Sequence, residues 1–133
     1  ALGTDFPVED INPFKTFLAS VARKDAQNYP ENGFQKENAL TREQTLRGMT
    51  IWAAKSVFQE KERGSLEVGN NADFIILNQD LMNIDEKDIL KTNVLETWVA
   101  GTKSYYNQKY FDDLAKKLSG RTVSLDIIEA KAK

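Results

Sequence analysis

Gly64-Ser65-Leu66-Glu67-Val68-Gly69-Asn70-Asn71-Ala72-Asp73-Phe74-Ile75-Ile76-Leu77 is the stretch on which the reading of the fold turns. Before it, apolar residues recur at helical spacing. From Gly64 onward the period changes to that of short strands punctuated by glycine. Gly64 and Gly69 bracket a short segment, and Asn70-Asn71 suits a turn with positive φ. Ala72 to Leu77 reads as a short buried strand. The helical first half and the strand-bearing second half therefore meet near Glu62 to Gly64, which predicts an α+β arrangement.

On the C-terminal side, Val94 to Tyr106 reads as two strands around a hairpin turn at Ala100-Gly101-Thr102. The acidic residues 80 to 92 between the strands carry one helical turn around Asp85 to Leu90. Tyr110, Phe111, Leu114 and Leu118 mark a last helix stopped by Gly120. Val123, Leu125 and Ile127 alternate with Ser124 and Asp126, as in a final strand, and the Lys-rich end from Ala130 to Lys133 reads as frayed. The strands expected number four or five.

On the N-terminal side, Asn12-Pro13 combines a good N-cap with the residue favoured at the first helical position. Phe14, Phe17, Leu18 and Val21 then predict an amphipathic helix over 13 to 24. Residues 25 to 39 lack periodicity and read as a long loop. Thr41-x-x-Gln44 has the form of a capping box. It opens two helices, 41 to 48 and 50 to 59, bent at Gly48-Met49, with Thr50 capping the restart. Leu46, Met49, Ala53 and Val57 form their expected inward stripe, and Trp52 and Phe58 read as core. The opening Ala1-Leu2-Gly3-Thr4-Asp5-Phe6-Pro7 has the look of a strand cut in mid-element, although a tag remnant or processed terminus reads the same way.

Composition removes whole classes of chemistry. The 133 residues suit one domain or a piece of one. With 41% hydrophobic residues, seven Phe, four Tyr and two Trp, the chain can form a core. Eighteen basic against 20 acidic residues give a net charge of −2, without the basic stripe that a phosphate backbone requires. The aromatic residues are not interleaved with basic ones, which also speaks against nucleic acid. No stretch approaches the ~18 apolar residues of a membrane span, and no signal peptide stands at the start. No Cys means no thiolate nucleophile and no Cys-ligated zinc. No His means no Ser-His-Asp triad and no imidazole ligand.

What remains for chemistry is carboxylate. Asp5 stands at the end of an apolar segment, where a carboxylate can ligate a metal or move a proton. By local pattern alone the signal is weak, since a single acid in a loop is usually a cap or a solvated turn. Glu9-Asp10 is an exposed pair, and Glu60 to Arg63 a solvated helix end. Asp80, Asp85, Glu86 and Asp88 lack the ligand alternation and central Gly of a calcium loop and read as surface. Asp73 is expected to hydrogen-bond its neighbouring turn.

The order of several segments is more specific than any of them. Gly3 to Val8, Asn12-Pro13, Arg23, Leu40 to Leu46, Thr50 to Ala54 and the quoted Gly64 to Leu77 follow one another, then Val94 to Val99, Gly101 and Tyr105. This pattern, over residues 3 to about 106, resembles the C-terminal end of the metal-dependent amidohydrolase superfamily, above all the branch known as amidohydrolase family 3. The resemblance implies a distorted (β/α)8 barrel with a small composite β-sandwich beside it. Residues 1–62 would then be the end of the barrel after its eighth strand, 63–106 the C-terminal part of the sandwich, and 107–133 a C-terminal helix and private extension.

The resemblance also implies an activity: hydrolysis of carbon–nitrogen bonds outside peptides in a small-molecule substrate, by metal-activated water. Asp5 matches the acid at the end of the eighth strand, a metal ligand and proton shuttle. A divalent metal, zinc first, belongs to the full-length enzyme. The family's His-x-His motif, bridging Lys or Glu and later His ligands all precede that Asp, and none is present. The chain is therefore expected to be a C-terminal fragment, inactive and metal-free by itself, whose partner is the remainder of the barrel. Such a fragment should expose the inward faces of Phe14, Phe17, Leu18 and Met49 and self-associate, as a dimer or higher oligomer that could exchange strands. A non-catalytic binding or structural module lacking the barrel, and a stand-alone α+β domain, are the competing readings. Substrate, metal number and compartment stay open, with a cytoplasmic location ahead of a periplasmic or secreted one.

Overall fold

The first helix begins where the sequence marks it. In the computed structural model, which describes residues 1–119, the Asn12 side chain accepts from the Phe14 N–H at 3.0 Å and Pro13 stands at the first position of α1, Pro13–Ala22. The helix stops two residues earlier than the pattern predicts. Arg23 turns into the left-handed region (φ 57°) and its N–H closes back on the Ala19 carbonyl at 3.0 Å. The 25–39 segment follows, containing a short 3₁₀ turn at Lys36–Asn38. It is pinned rather than loose. Arg23 Nε donates to the Phe34 carbonyl at 3.1 Å, and Lys36 Nζ donates to the Val21 carbonyl at 2.9 Å.

The capping box forms as read. Thr41 Oγ1 accepts from the Gln44 N–H at 3.1 Å, and Gln44 Oε1 accepts from the Thr41 N–H at 2.9 Å. Helix α2 runs Arg42–Met49 and α3 runs Ile51–Ser56. Thr50 breaks the two (φ −124°, ψ −98°) but does not cap the restart, because its hydroxyl donates back to the Leu46 carbonyl at 2.7 Å. Helix α3 ends three residues before the expected 59, as Phe58 takes a positive φ of 60°.

Three antiparallel strands follow in the order β1-β2-β3: β1 Phe74–Leu77, β2 Val94–Val99 and β3 Thr102–Tyr106. The hairpin uses positive φ at Ala100 (48°) and Gly101 (73°), the twist that a tight two-strand connection needs. Positive φ between Gly64 and Leu77 falls on Gly64 and Gly69, not on Asn70-Asn71 as predicted; the Asn70 amide instead donates to the Ser65 hydroxyl at 2.8 Å. Asp73 also departs from expectation. Its carboxylate accepts from the Ala100 N–H at 2.7 Å, tying β1 to the hairpin turn 27 residues on. A 3₁₀ helix, Glu86–Lys91, stands where one turn was expected, and α4 spans Gln108–Ser119. The stop at Gly120, the strand at 123–127 and the frayed end lie outside the described residues, within which three strands are present.

Burial corrects the reading more than secondary structure does. The core is the inner face of α1 (Phe14, Phe17, Leu18, Val21 and Ala22) closed over Ile89, with Leu77, Leu81, Ile84, Leu90 and Val94 around it. Phe14, Phe17 and Leu18 were expected to be exposed and are buried, because the 80–92 connection folds onto α1. Arg42 locks that connection, its guanidinium donating to the carbonyls of Leu81 and, at 2.6 Å, Ile84. Conversely, most of the stripe on α2 and α3 expected to face inward is open: Leu46 and Val57 are exposed and Ala53 only half-buried, while Met49, also half-buried, packs against the α1 core. Trp52 is exposed and Phe58 is 92% exposed, so neither is core. Strand β1 is not fully buried either, since Ile75 and Ile76 face solvent.

Candidate functional site around Asp5

Residues 1–5 form neither helix nor strand, and no strand pairs with them among the described residues. Their anchor is the Leu2 N–H, which donates to the Gly48 carbonyl at 2.8 Å. The strand expected here lacks a neighbouring strand, and a lone extended segment cannot make a ladder. Asp5 then turns the chain. Its φ of 53° is uncommon for a residue with a Cβ, although Asp is among the residues that tolerate it. Its carbonyl accepts from the N–H groups of Val8 at 2.8 Å and Glu9 at 3.4 Å.

The turn leaves the Asp5 carboxylate exposed, with no hydrogen-bond or ion-pair partner among the described residues. It borders a hollow of about 360 Å³ shared with Gly3, Thr4, Glu9, Lys15, Thr16, Ala19, Ser20 and Arg23. Lys15 is engaged elsewhere: its Nζ lies 2.8 Å from Asp10, whose carboxyl is held below the usual range first by that hydrogen bond and then by the Asn12 N–H. Arg23 is held by the Phe34 carbonyl alone and makes no ion pair among the described residues. The hollow thus joins a free carboxylate, a guanidinium and the side chains of Thr16 and Ser20. No role had been read for Thr16, Ser20 and Arg23, yet the i, i+4 spacing of Thr16 and Ser20 on α1, with Arg23 at its C-cap, marks one polar face.

The acidic residues of the 80–92 connection are occupied. Asp80 accepts from the Met82 N–H and the Asn83 amide, Asp88 pairs with Lys91, Asp85 with Lys87, and Glu86 with Lys24 and Lys36. They form a solvated surface. Among the described residues no three His, Cys, Asp or Glu side chains are grouped to hold an ion. A catalytic zinc takes about three protein ligands, so the donor set of the described residues does not fit a resident metal.

Comparison with known proteins places the sequence that builds these elements in a family. The amidohydrolase family model matches residues 1–105, and the chain belongs to that family. It is 33% identical over 105 residues to the protein LONG AFTER FAR-RED 3 of Arabidopsis thaliana, a match covering 79% of this chain and 18% of that one. It is 28% identical over 105 residues to the N-substituted formamide deformylase of Arthrobacter pascens, covering 79% and 19%. Over 103 residues it is 25% identical to YtcJ, named as an amidohydrolase, of Bacillus subtilis (strain 168), covering 77% and 20%. The chain thus spans about a fifth of the length of these curated relatives. No solved structure gives a significant match.

Proposed function

We propose that this chain is the C-terminal part of a hydrolase that cleaves carbon–nitrogen bonds outside peptides. The observation that carries the reading is the family match over residues 1–105, joined by a relative named as a deformylase of N-substituted formamides. In this reading residues 1–62 close a (β/α)8 barrel, 63–106 supply part of a composite β-sandwich, and 107–133 are an extension. The unpaired first segment and the open edges of the three-stranded sheet support a larger parent fold. The remainder of the barrel is then the partner of this chain, and a small molecule the substrate.

Asp5 is this chain's contribution to the chemistry. Its free carboxylate takes a proton from the attacking water as the new C–O bond forms. The same proton passes to the nitrogen as the C–N bond breaks, so the carboxylate ends as it began. Arg23 and the hydroxyls of Thr16 and Ser20 line the same hollow, where they can orient a polar substrate group, Ser20 only as an acceptor because its hydroxyl donates to the Thr16 carbonyl at 2.8 Å. The divalent metal of the family needs a ligand group that is not assembled among the described residues, so the chain by itself is expected to be inactive.

The test has two arms. The purified chain, with and without zinc, is assayed against N-alkylformamides, and no release of amine above the blank is expected. Residues 1–133 are then grafted in place of the matching C-terminal region of the Arthrobacter deformylase. Turnover in that chimera should fall by about 10²-fold or more in Asp5→Asn. That substitution keeps the tolerance of positive φ, so the melting temperature should not move. Turnover by the chain alone, abolished by Asp5→Ala, would falsify the partial-enzyme reading. A folded chimera as active with Asn as with Asp removes Asp5 from the mechanism. The second reading, a non-catalytic module, draws on the open apolar groove of about 730 Å³ beside the sheet; it leads if folded chimeras stay inactive whatever stands at position 5.

A further inference from the structure

Gly48 stands in the last turn of α2 and is buried. Gly in a helix loses more backbone freedom than Ala, and what offsets that cost here is a close approach. A Cβ built at Gly48 would lie 2.9 Å from Leu2 Cδ1, 3.0 Å from Leu2 Cγ and 3.7 Å from Leu2 Cβ. The three nearest atoms thus belong to one side chain. Turning the Cδ1 methyl aside leaves Cγ still too close, so a methyl at position 48 displaces the Leu2 side chain as a whole.

The contact acts on the segment that carries Asp5. Burial alternates along it, with Leu2 and Thr4 half-buried and Ala1, Gly3 and Asp5 exposed. The Leu2 N–H donates to the Gly48 carbonyl at 2.8 Å, and residues 1–4 make no other backbone hydrogen bond among the described residues. Downstream, the Asp5 carbonyl is held by the N–H groups of Val8 and Glu9. The Asp5 carboxylate has no partner of its own among the described residues. Its place is therefore set by the backbone on either side, and on the upstream side that hold is the seat of Leu2 on Gly48.

We propose that Gly48 is a positioning residue for Asp5: its missing side chain makes the seat for Leu2, and the seat fixes where the segment ending at Asp5 meets α2. The inference rests on the hydrolase reading of Asp5. In the barrel of that reading, neighbouring strands hold the segment from the sides, and the contact with a surrounding helix sets its depth. Ala at position 48 pushes Leu2 away from α2 and carries the Asp5 carboxylate with it. A group that must meet a proton loses up to about 10²-fold in rate when it is misplaced by about 1 Å. Gly48 itself touches neither substrate nor water; it acts through Leu2 and the backbone of residues 2–5.

The test uses the deformylase chimera and the 133-residue chain. In a chimera that circular dichroism shows to be folded, Gly48→Ala should lower kcat by about tenfold or more with KM unchanged. Added to Asp5→Asn, it should cost nothing further, because no carboxylate is left to misplace; a merely structural role would slow both backgrounds alike. If Asp5→Asn turns over too slowly to measure, the split between kcat and KM decides. In the chain alone, nuclear Overhauser contacts should join the Leu2 methyls to the Gly48 Hα, and Gly48→Ala should shift the amide resonances of Thr4 and Asp5. Folded chimeras without turnover, or as fast with Asp5→Asn as without it, remove the hydrolase reading of Asp5 and this inference with it. If Asp5→Asn is slow while Gly48→Ala keeps its kcat, raises KM instead, or slows both backgrounds alike, this inference fails alone. Where a chimera does not fold, the chain decides: a missing Leu2–Gly48 contact, or Thr4 and Asp5 resonances that do not move, overturns the proposal.

Discussion

Gly64 is where the helical half touches the strand-bearing half, and replacing it with Ala measures how tightly they meet. A Cβ there would stand 2.8 Å from the Ala54 Cβ, 3.0 Å from the Ile51 Cα and 3.2 Å from the Thr50 carbonyl oxygen. Two of these neighbours are backbone and the third is a methyl with no rotamer to escape into, so the chain itself must move. The φ of 91° adds a conformational cost. Left-handed backbone costs a residue with a Cβ about 1–2 kcal/mol, and overpacking about 1–3 kcal/mol. Gly64→Ala should therefore destabilise by about 2–5 kcal/mol. Gly69 provides the control. Its φ is 100°, but nothing lies within 4 Å of its hypothetical Cβ, so Gly69→Ala carries only the conformational part. At about 4 °C per kcal/mol for a domain of this size, the expected losses in melting temperature are about 8–20 °C at Gly64 and about 4–8 °C at Gly69. Thermal unfolding followed by circular dichroism, at one fixed low protein concentration so that association does not differ, reads both. Equal losses at the two sites, within about 2 °C, would refute the close approach of the Gly64 loop to α3.

Three further outcomes follow from the same geometry. Thr41→Ala removes one half of the capping box and should cost about 1 kcal/mol, seen as a shift of the urea midpoint; no shift would mean that the box is not formed in solution. Ile89→Ala empties the centre of the α1 core and should cost about 2–5 kcal/mol with an unchanged urea slope; a cost near that of a surface change would show that the 80–92 connection is not closed over α1. Glu96 has its carboxyl held below its ordinary value, first by the hydrogen bond from Lys103 and then by that from the Trp98 indole N–H. A lowered folded value means that its stabilisation is complete above the unfolded value near 4.5 and is lost as pH falls through the folded one. Glu96→Gln should therefore flatten part of the acid limb in a plot of melting temperature against pH, and an acid limb of unchanged steepness would count against the Glu96–Lys103 pair.

Legibility followed distance along the chain. The Asn12 cap, the Thr41–Gln44 box and the hairpin at Ala100-Gly101 are each made within about four residues, so their donors and acceptors are neighbours in the sequence as well as in space. Asp73 shows the limit. Its side chain was assigned to the adjacent turn, yet it accepts from the Ala100 N–H, which only the pairing of Phe74 with Trp98 brings near. Thr50 fails for a related reason, because a hydroxyl in a helix can serve the turn behind it as readily as the one ahead. At the candidate site, the motif singled out Asp5. The company it keeps, Arg23 and the Thr16–Ser20 face of α1, was written in the i, i+4 spacing but acquires meaning only once the 1–5 segment crosses that face.

Some conclusions need no conformation at all. A chain without His or Cys lacks most transition-metal ligands however it folds, and the ordered segments from Gly3 to Tyr105 place it in its family without coordinates. Helix starts and the hairpin belong to the same group, being set by local hydrogen bonding. Which apolar faces are covered is different in kind. The stripe on α1 and the stripe on α2 and α3 look alike as patterns, yet α1 is sealed by Ile89 and its neighbours while the other stripe lines an open groove. Periodicity reports that a helix has an apolar face; burial requires a second surface, and only the path of the 80–92 connection decides which helix receives one.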